Sequence, residues 1–135
     1  MCRRVIGIVI DRNYDRQHGV DTSGFIPAKF LAPDSASSQF SHEYGPTPQK
    51  SFRRMLDVLP CSFKDYTLVD YGSGKGRTLL IAAEYPFKQI IGIEYSEELV
   101  KIADKNVATY RGQPLQCTSI ESKFMDATVY SPPLT

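Results

Sequence analysis

A cluster of glycines at residues 72–76 constrains the fold of this chain more than any other feature. The segment 70–77 reads DYGSGKGR, and it lies between an apolar run that ends at Val69 and a helix-forming run at 78–85. A sharp strand-to-helix turn needs residues without a Cβ, because its backbone adopts unusual φ values and approaches a ligand closely. The amides that open the following helix favour a carboxylate or a phosphate. This pattern predicts a nucleotide-binding turn.

The segments around this turn alternate between strand-like and helix-like patterns. Apolar runs at 67–70, 89–93 and 123–125 alternate with helical stretches at 78–85 and 96–110. This order forms a βαβαβ unit, whose strands pair in parallel through right-handed crossovers. We therefore predict an α/β chain with three parallel strands in the order 3-2-1 and with flanking helices on both faces.

The N-terminal part of the chain has weaker periodicity. Residues 5–10 predict a strand, and residues 33–38, rich in Ser, Ala and Pro, predict an exposed loop. We assign residues 1–45 to an N-terminal extension and residues 46–135 to the nucleotide-binding domain.

A helix is predicted directly after this extension. Thr47 offers a capping hydroxyl, and Pro48 suits a first helical turn. Apolar residues then recur at helical spacing, at Phe52, Met55, Leu56 and Leu59. The spacing predicts an amphipathic helix that faces the glycine turn.

Three kinds of nucleotide-binding loop compete for the glycine pattern. A P-loop needs Ser or Thr after Gly-Lys, and Gly76 stands there instead, which excludes that kind. A dinucleotide fingerprint needs a third glycine where this chain has Arg77, which weakens a nicotinamide site without excluding it. The spacing observed is G-x-G-x-G directly after an acidic residue. It resembles motif I of class I S-adenosylmethionine-dependent methyltransferases.

Two further acids extend the pattern. Glu94 closes the second strand about 20 residues after the glycines, the spacing of an acid that binds ribose hydroxyls. Asp126 follows the third strand and resembles the methyltransferase acid that approaches the adenine amino group. The carboxyl ends of parallel strands line one crevice, so we expect Asp70, Glu94 and Asp126 to converge.

Residues 44–128 together resemble a bacterial group of class I methyltransferases akin to the seven-stranded protein-lysine methyltransferases. The segment YGPTP at 44–48 is similar to one that closes over the cofactor in such families, where Thr47 would bind the methionine carboxylate; its alternative role is a helix cap. The resemblance implies S-adenosyl-L-methionine as cofactor and a Rossmann-like methyltransferase fold that is incomplete, because the chain ends just past the third strand. The cofactor-binding residues that it implies are Asp70, Gly72, Ser73, Gly74, Gly76, Glu94, Asp126 and Thr47.

The function that this resemblance implies is methyl transfer, with a protein lysine as one candidate acceptor. The catalytic residues stay unknown, since the acceptor-facing motif of the family follows a fourth strand. The short chain leaves enzymatic activity itself undecided. The alternatives are a truncated, non-catalytic remnant that binds a nucleotide or a partner, and an NAD-dependent oxidoreductase. An incomplete sheet is also expected to expose an edge that favours self-association.

Composition limits the partners of the chain. The formal net charge is +1, and two isolated arginine pairs at 3–4 and 53–54 form no basic stripe for nucleic acid. Three widely spaced cysteines without a C-x-x-C pair indicate reduced thiols and a cytoplasmic location. His18 and His42 have no second ligand at useful spacing, so we predict no metal site. We also predict no membrane association, since no apolar run approaches the ~20 residues of a membrane span.

For two basic residues and three aromatic residues the sequence predicts exposure or packing rather than a role in binding. Lys75 and Arg77 lie where a helix begins, and charged side chains at such positions are usually solvated, so we expect both to be exposed. Tyr14, Tyr44 and Phe52 are expected to serve in packing rather than in stacking on a base.

Overall fold

The computed structural model describes residues 13–31 and 43–133 of the chain. Within these ranges one sheet is formed by β1 (Thr67–Tyr71), β2 (Gln89–Glu94) and β3 (Ile120–Phe124). Both strand pairs are parallel and β2 lies in the centre, so the sheet order is β1-β2-β3. The predicted α/β fold with strand order 3-2-1 is confirmed.

Strand β2 occupies the centre because both of its faces are apolar. Ile90, Ile91 and Ile93 are each at most 3% exposed. A parallel strand that is covered on both faces reads as a continuous apolar run rather than an alternating one. The run at 89–93 is of this kind, and this continuous apolar run is the signal that located the strand in the sequence.

Three α-helices accompany the sheet: α1 (Gln49–Asp57), α2 (Arg77–Ala83) and α3 (Glu97–Thr109). Helix α3 has a side-chain cap, because the hydroxyl of Ser96 accepts a hydrogen bond from the Leu99 amide at 3.4 Å. Residues 13–18 are also helical. Short 3-10 turns span Ala28–Phe30, Phe63–Asp65 and Ala127–Val129.

Helix α1 begins differently from the prediction. Its N-cap residue is Pro48, and no side chain caps its first turn, so the predicted capping role of Thr47 is wrong. Phe52 and Leu56 are buried, whereas Met55 is 51% exposed. The apolar stripe is therefore narrower than the sequence suggested, because only one side of α1 contacts α2 and the core.

The core brings together residues from both ends of the described chain. Tyr14 is fully buried and packs in the same cluster as residues of α1, α2 and β2, as expected for Tyr14 and Phe52. The buried members of this cluster are Tyr14, Phe52, Leu56, Leu79, Ile81, Ala82, Ala83, Phe87, Ile90 and Cys117. The chain before α1 is thus anchored in the main core.

We call residues 13–31 the N-terminal strap. The strap meets the segment before α1 in an antiparallel bridge between Ile26 and Tyr44. The Ile26 amide donates to the Tyr44 carbonyl at 3.1 Å, and the Tyr44 amide donates to the Ile26 carbonyl at 2.8 Å. The division of the chain at residues 45 and 46 stays a prediction.

The strap also explains why the prediction for Lys75 and Arg77 is wrong. Lys75 is 7% exposed and Arg77 is 2% exposed, although both were expected to be solvated. Their charged groups lie against the strap, where Asp21 and Asp15 pair with them. Sequence position alone cannot foresee partners that lie more than 50 residues away.

Some predictions lie outside the described residues, namely the strand at 5–10, the loop at 33–38 and the role of His42. Strand β1 pairs with β2, and no strand in the described part of the chain covers its other edge. Self-association through this edge stays a prediction. No helix within 13–31 or 43–133 is both long and apolar enough to cross a membrane.

Candidate functional site

A cavity of about 310 Å³ opens at the carboxyl end of the sheet. Its walls come from the end of β1 and the glycine turn, from the end of β2, and from the segment 43–47 before α1. Leu31, at the end of the strap, closes another side. Sites for small ligands commonly have this size and lie at this position in α/β proteins.

The glycine turn is held against the end of β2 by its own backbone. The amides of Gly72 and Ser73 both donate to the Ile93 carbonyl, at 2.8 and 3.1 Å. Gly74 has a φ of +54°, and a Cβ at this position would collide with the ring of Tyr44. Gly76 has a φ of +83°, and a Cβ at this position would lie 3.1 Å from the Cβ of Ala103 on α3. Backbone conformation and close approach both require glycine here.

Glu94 lines the cavity and is 4% exposed. One carboxylate oxygen accepts from the Gly74 amide and the other from the Ser96 amide, both at 2.9 Å. Burial raises the pKa of Glu94 above its usual value, although these backbone hydrogen bonds work in the opposite direction. A carboxylate offers about four acceptor sites, so Glu94 retains capacity to accept a hydrogen bond from a ligand hydroxyl.

Asp70 provides a second acid in the same cavity. Its carboxylate accepts a hydrogen bond from the Thr78 hydroxyl. Burial raises the pKa of Asp70 in spite of that bond, and the nearby Asp70 charge contributes to the raised pKa of Glu94. Two desolvated carboxylates create a negative potential that favours a cationic group and hydroxyl donors in a ligand.

Two buried hydroxyls in the cavity wall are without a hydrogen-bond partner in the described structure. They belong to Ser73, which is 5% exposed, and to Tyr95. Buried polar atoms are nearly always bonded, and these two hydroxyls are exceptions that belong to residues lining the cavity.

The segment before α1 forms the opposite wall. Thr47 lines the cavity, where its hydroxyl is not engaged in capping the helix. Tyr44 packs on Gly74 and donates its hydroxyl to the Thr22 carbonyl at 2.6 Å. The ring of Tyr44 therefore serves in packing, as expected, and also forms part of the cavity wall.

Asp126 follows β3 but is not among the residues that line this cavity. Its carboxylate accepts from the amide and the hydroxyl of Thr128, at 2.8 and 2.7 Å, and so caps the short turn Ala127–Val129. The structure thus brings Asp70 and Glu94 together with Ser73 and Thr47 around one cavity, and Asp126 is not part of its lining. A role of Asp126 toward a cofactor stays a prediction.

Sequence reasoning missed several residues of the cavity wall. Tyr95 could have been found, because it directly follows the strand-end acid Glu94. Thr78 could also have been found, because it is one turn beyond the glycines and bonds Asp70. Leu31 and Glu43 carry no local signal, since only the tertiary fold brings the end of the strap and the segment before α1 to the site.

The segment that carries the glycine turn is similar to known methyltransferases. Residues 62–116 match a family model described as a methyltransferase domain. A curated relative, the protein-lysine N-methyltransferase of Saccharolobus islandicus strain REY15A, is 34% identical over 91 residues, which cover 64% of this chain and 56% of the relative. The chain therefore spans about half the length of the curated relative that it matches.

Two solved methyltransferase structures are similar to this chain in fold. An RNA methyltransferase from Salinibacter ruber in complex with S-adenosyl-L-homocysteine has a TM-score of 0.51 and 30% identity, over 63% of this chain and 52% of that one. The 23S rRNA methyltransferase ErmE has a TM-score of 0.51 and 18% identity, over 64% of this chain and 32% of that one. The resemblance to class I methyltransferases is confirmed, and the three-stranded sheet is the first part of their Rossmann-like fold.

Proposed function

We propose that this chain carries the S-adenosyl-L-methionine-binding part of a methyltransferase. The observation that supports it most directly is the cavity itself, which is lined by the left-handed glycine turn and by the acids Asp70 and Glu94. A cofactor with an ammonium group, a sulfonium and ribose hydroxyls matches a site of negative potential with free acceptors. The methyltransferase domain match at 62–116 covers this turn and both acids.

In this proposal the acids and the glycine turn divide the recognition of the cofactor. Glu94 accepts hydrogen bonds from the ribose hydroxyls through the lone pairs that the backbone amides leave free. Asp70 and the turn formed by Gly72, Ser73, Gly74 and Gly76 face the methionine end. Thr47 donates to the methionine carboxylate from the opposite wall.

The cofactor supplies an electrophilic methyl group, and transfer forms a bond from methyl carbon to the acceptor while the carbon–sulfur bond breaks and its electron pair stays on sulfur. The residues of this chain bind and orient. The rigid turn fixes one end of the ligand, and the buried acids provide a preorganised field in a cavity partly closed to water. No acid or base for the acceptor is assigned among these residues.

We further propose a protein lysine as the acceptor. The support is the curated relative, whose name specifies a protein-lysine N-methyltransferase at 34% identity. The Salinibacter structure is an RNA methyltransferase by its description. A net charge of +1 without a basic stripe does not suit a polyanionic acceptor, and this favours the lysine acceptor over RNA.

Titration calorimetry with S-adenosyl-L-homocysteine and NADH tests the cofactor. We expect the homocysteine analogue to bind and NADH neither to bind nor to compete. Glu94→Gln should weaken binding by about tenfold or more. The side-chain NH2 group of the glutamine would then face the backbone N–H of Gly74 or Ser96, and two hydrogen-bond donors would oppose each other. The control is Glu98→Gln on the exposed side of α3, which should bind as the parent does. Tight NADH binding that the analogue does not displace would contradict the proposal.

A further inference from the structure

A buried guanidinium ties the strap to the glycine turn. Arg77 stands at the first position of α2, yet its side chain is 2% exposed and turned toward residues 14–23. Its Nε donates to the Thr22 hydroxyl at 2.8 Å, and its Nη2 donates to the Ser23 hydroxyl at 3.1 Å. Tyr14 packs against the guanidinium, with 4.8 Å between the ring centroid and Cζ. A charge of this kind is stable in the interior only with such partners.

Asp15 organises the strap around this guanidinium. Its carboxylate accepts from the amides of Thr22 and Ser23, at 2.9 and 2.7 Å, and from the Thr22 hydroxyl at 2.5 Å. The same carboxylate lies 3.5 Å from Nη2 of Arg77. One acid therefore both shapes the strap turn and supplies the counter-charge for the buried arginine.

A second set of bonds fastens the same turn of the strap. Lys75 donates from Nζ to the Asp21 carboxylate at 2.9 Å and to the Ser23 carbonyl at 3.0 Å. Asn106 of α3 donates to the carbonyls of Asp21 and Lys75, at 2.8 and 2.9 Å. The strap is thus held by both basic residues of the glycine segment.

This network sets the position of one cavity wall. Thr22, which bonds Asp15 and Arg77, also accepts the hydroxyl of Tyr44 through its carbonyl. Ile26 then pairs with the Tyr44 backbone. The ring of Tyr44 is held on Gly74 as a result, and the segment that leads to Thr47 is held over the cavity.

We propose that Asp15 and Arg77 form a latch that positions the strap over the bound cofactor and thereby sets its affinity. The latch rests on the proposed cofactor function, and Asp15 is its positioning residue, because Asp15 is not among the residues that line the cavity. If binding needs the closed strap, the apparent affinity is proportional to the fraction of molecules in which the strap is closed. Reciprocity then requires the cofactor to stabilise the closed strap.

Asp15→Ala in the full chain tests the latch, with Arg16→Ala as the matched control. Arg16 is the neighbouring residue, exposed, and hydrogen-bonded to Asn13. We expect S-adenosyl-L-homocysteine to bind Asp15→Ala about tenfold more weakly than the parent, as a drop in the closed fraction to about one tenth would produce. Arg16→Ala should bind within twofold of the parent.

Amide hydrogen exchange separates positioning from general destabilisation. In the parent, the homocysteine analogue should slow exchange at Ile26 and Tyr44, whose amides form the strap bridge. In Asp15→Ala these amides should exchange faster, while the amides of Ile91 and Ile93 in β2 keep their protection. If Asp15→Ala does not fold, Ser23→Ala removes one hydroxyl acceptor from Arg77 and should weaken binding about two- to fivefold by the same loss of closed population.

Two results would overturn the latch alone: a variant whose strap amides exchange faster but which binds the analogue as tightly as the parent, or a parent whose strap amides are unaffected by the analogue. A parent chain that binds no analogue would overturn the proposed function and the latch with it.

Discussion

The βαβαβ unit and the N-terminal strap both contribute to one cavity but are stabilised by different forces. The unit is held by parallel ladders and by apolar side chains such as Leu79 and Ile90, which are fully buried. The strap contributes one fully buried aromatic residue, Tyr14, and is also held by polar contacts, among them bonds to Lys75, Arg77 and Asn106. The part of the site that the βαβαβ unit forms is therefore determined by local sequence pattern. The part that the strap supports is determined by polar contacts between residues distant in sequence.

The largest effect is expected where the strap enters the core. Tyr14→Ala and Leu79→Ala should each lower the free energy of unfolding by about 3 kcal/mol, because each empties a fully buried position. Urea denaturation of the two variants measures this. A loss below about 1 kcal/mol for Tyr14→Ala, with a full loss for Leu79→Ala, would show that the strap is peripheral to the folding unit.

The next largest effect is expected on cofactor affinity when the glycine turn, on which the ring of Tyr44 packs, is altered. Gly74→Val should reduce affinity for S-adenosyl-L-homocysteine about 100-fold, or about 2.8 kcal/mol, because the side chain displaces the Tyr44 ring from its place on the turn. Gly24→Val places the same left-handed strain on the strap, where a Cβ meets no atom within 4 Å. It should change the affinity by less than about fivefold, or about 1 kcal/mol. Equal losses in the two calorimetric titrations would contradict the assigned role of Gly74.

Acidification should affect the cavity acids and the strap at different pH values. Burial raises the pKa of Asp70 and of Glu94, so the stability that these acids contribute is full below their usual pKa values and is lost as pH rises through the raised ones. Lowering the pH through these raised pKa values therefore protonates both acids without destabilising the unit through these two groups, and affinity for the cofactor should fall by up to about tenfold per pH unit per group. Calorimetry across this range measures the loss.

The strap should respond at lower pH. Burial of Asp15 opposes its charge, but the hydrogen bonds from Thr22 and Ser23 outweigh burial and lower its pKa. The stability from Asp15 is present above the usual carboxyl pKa and is lost only as pH falls through the lowered value. Strap amides should accordingly stay protected from exchange at a pH where cofactor binding is already weakened. Simultaneous loss of both would show that the latch, not the cavity acids, responds to pH.

The smallest effect is expected at Asp126. Asp126→Asn should change affinity for the analogue by less than about fivefold, or about 1 kcal/mol, because this carboxylate already accepts two hydrogen bonds from Thr128. Calorimetry beside Glu94→Gln gives the comparison. An Asp126→Asn loss as large as that of Glu94→Gln would assign Asp126 a direct role, although it is not among the residues that line the cavity.

Much of the βαβαβ unit could be predicted because its signals are local. The apolar run at 89–93 and the helical stretch at 96–110 agree with β2 and α3 to within a residue or so. Glu94 could be assigned to the site because a strand-end acid is placed by strand direction alone. The predicted cap at Thr47 failed, because the preceding segment turns Thr47 toward the cavity and leaves Pro48 as the N-cap residue.

The sequence by itself determined the alternation of strand and helix, the glycine turn at 72–76, and the acids that follow the strands. These features depend on neighbours within one or two helical turns or on the polarity of a strand. Only the tertiary structure decided that Lys75 and Arg77 are buried, and that Leu31 and Tyr44 form a wall of the site. The reason is physical: a charged side chain is stable in the interior when its counter-charge is present, and Asp15 reaches Arg77 only across 62 residues of folded chain.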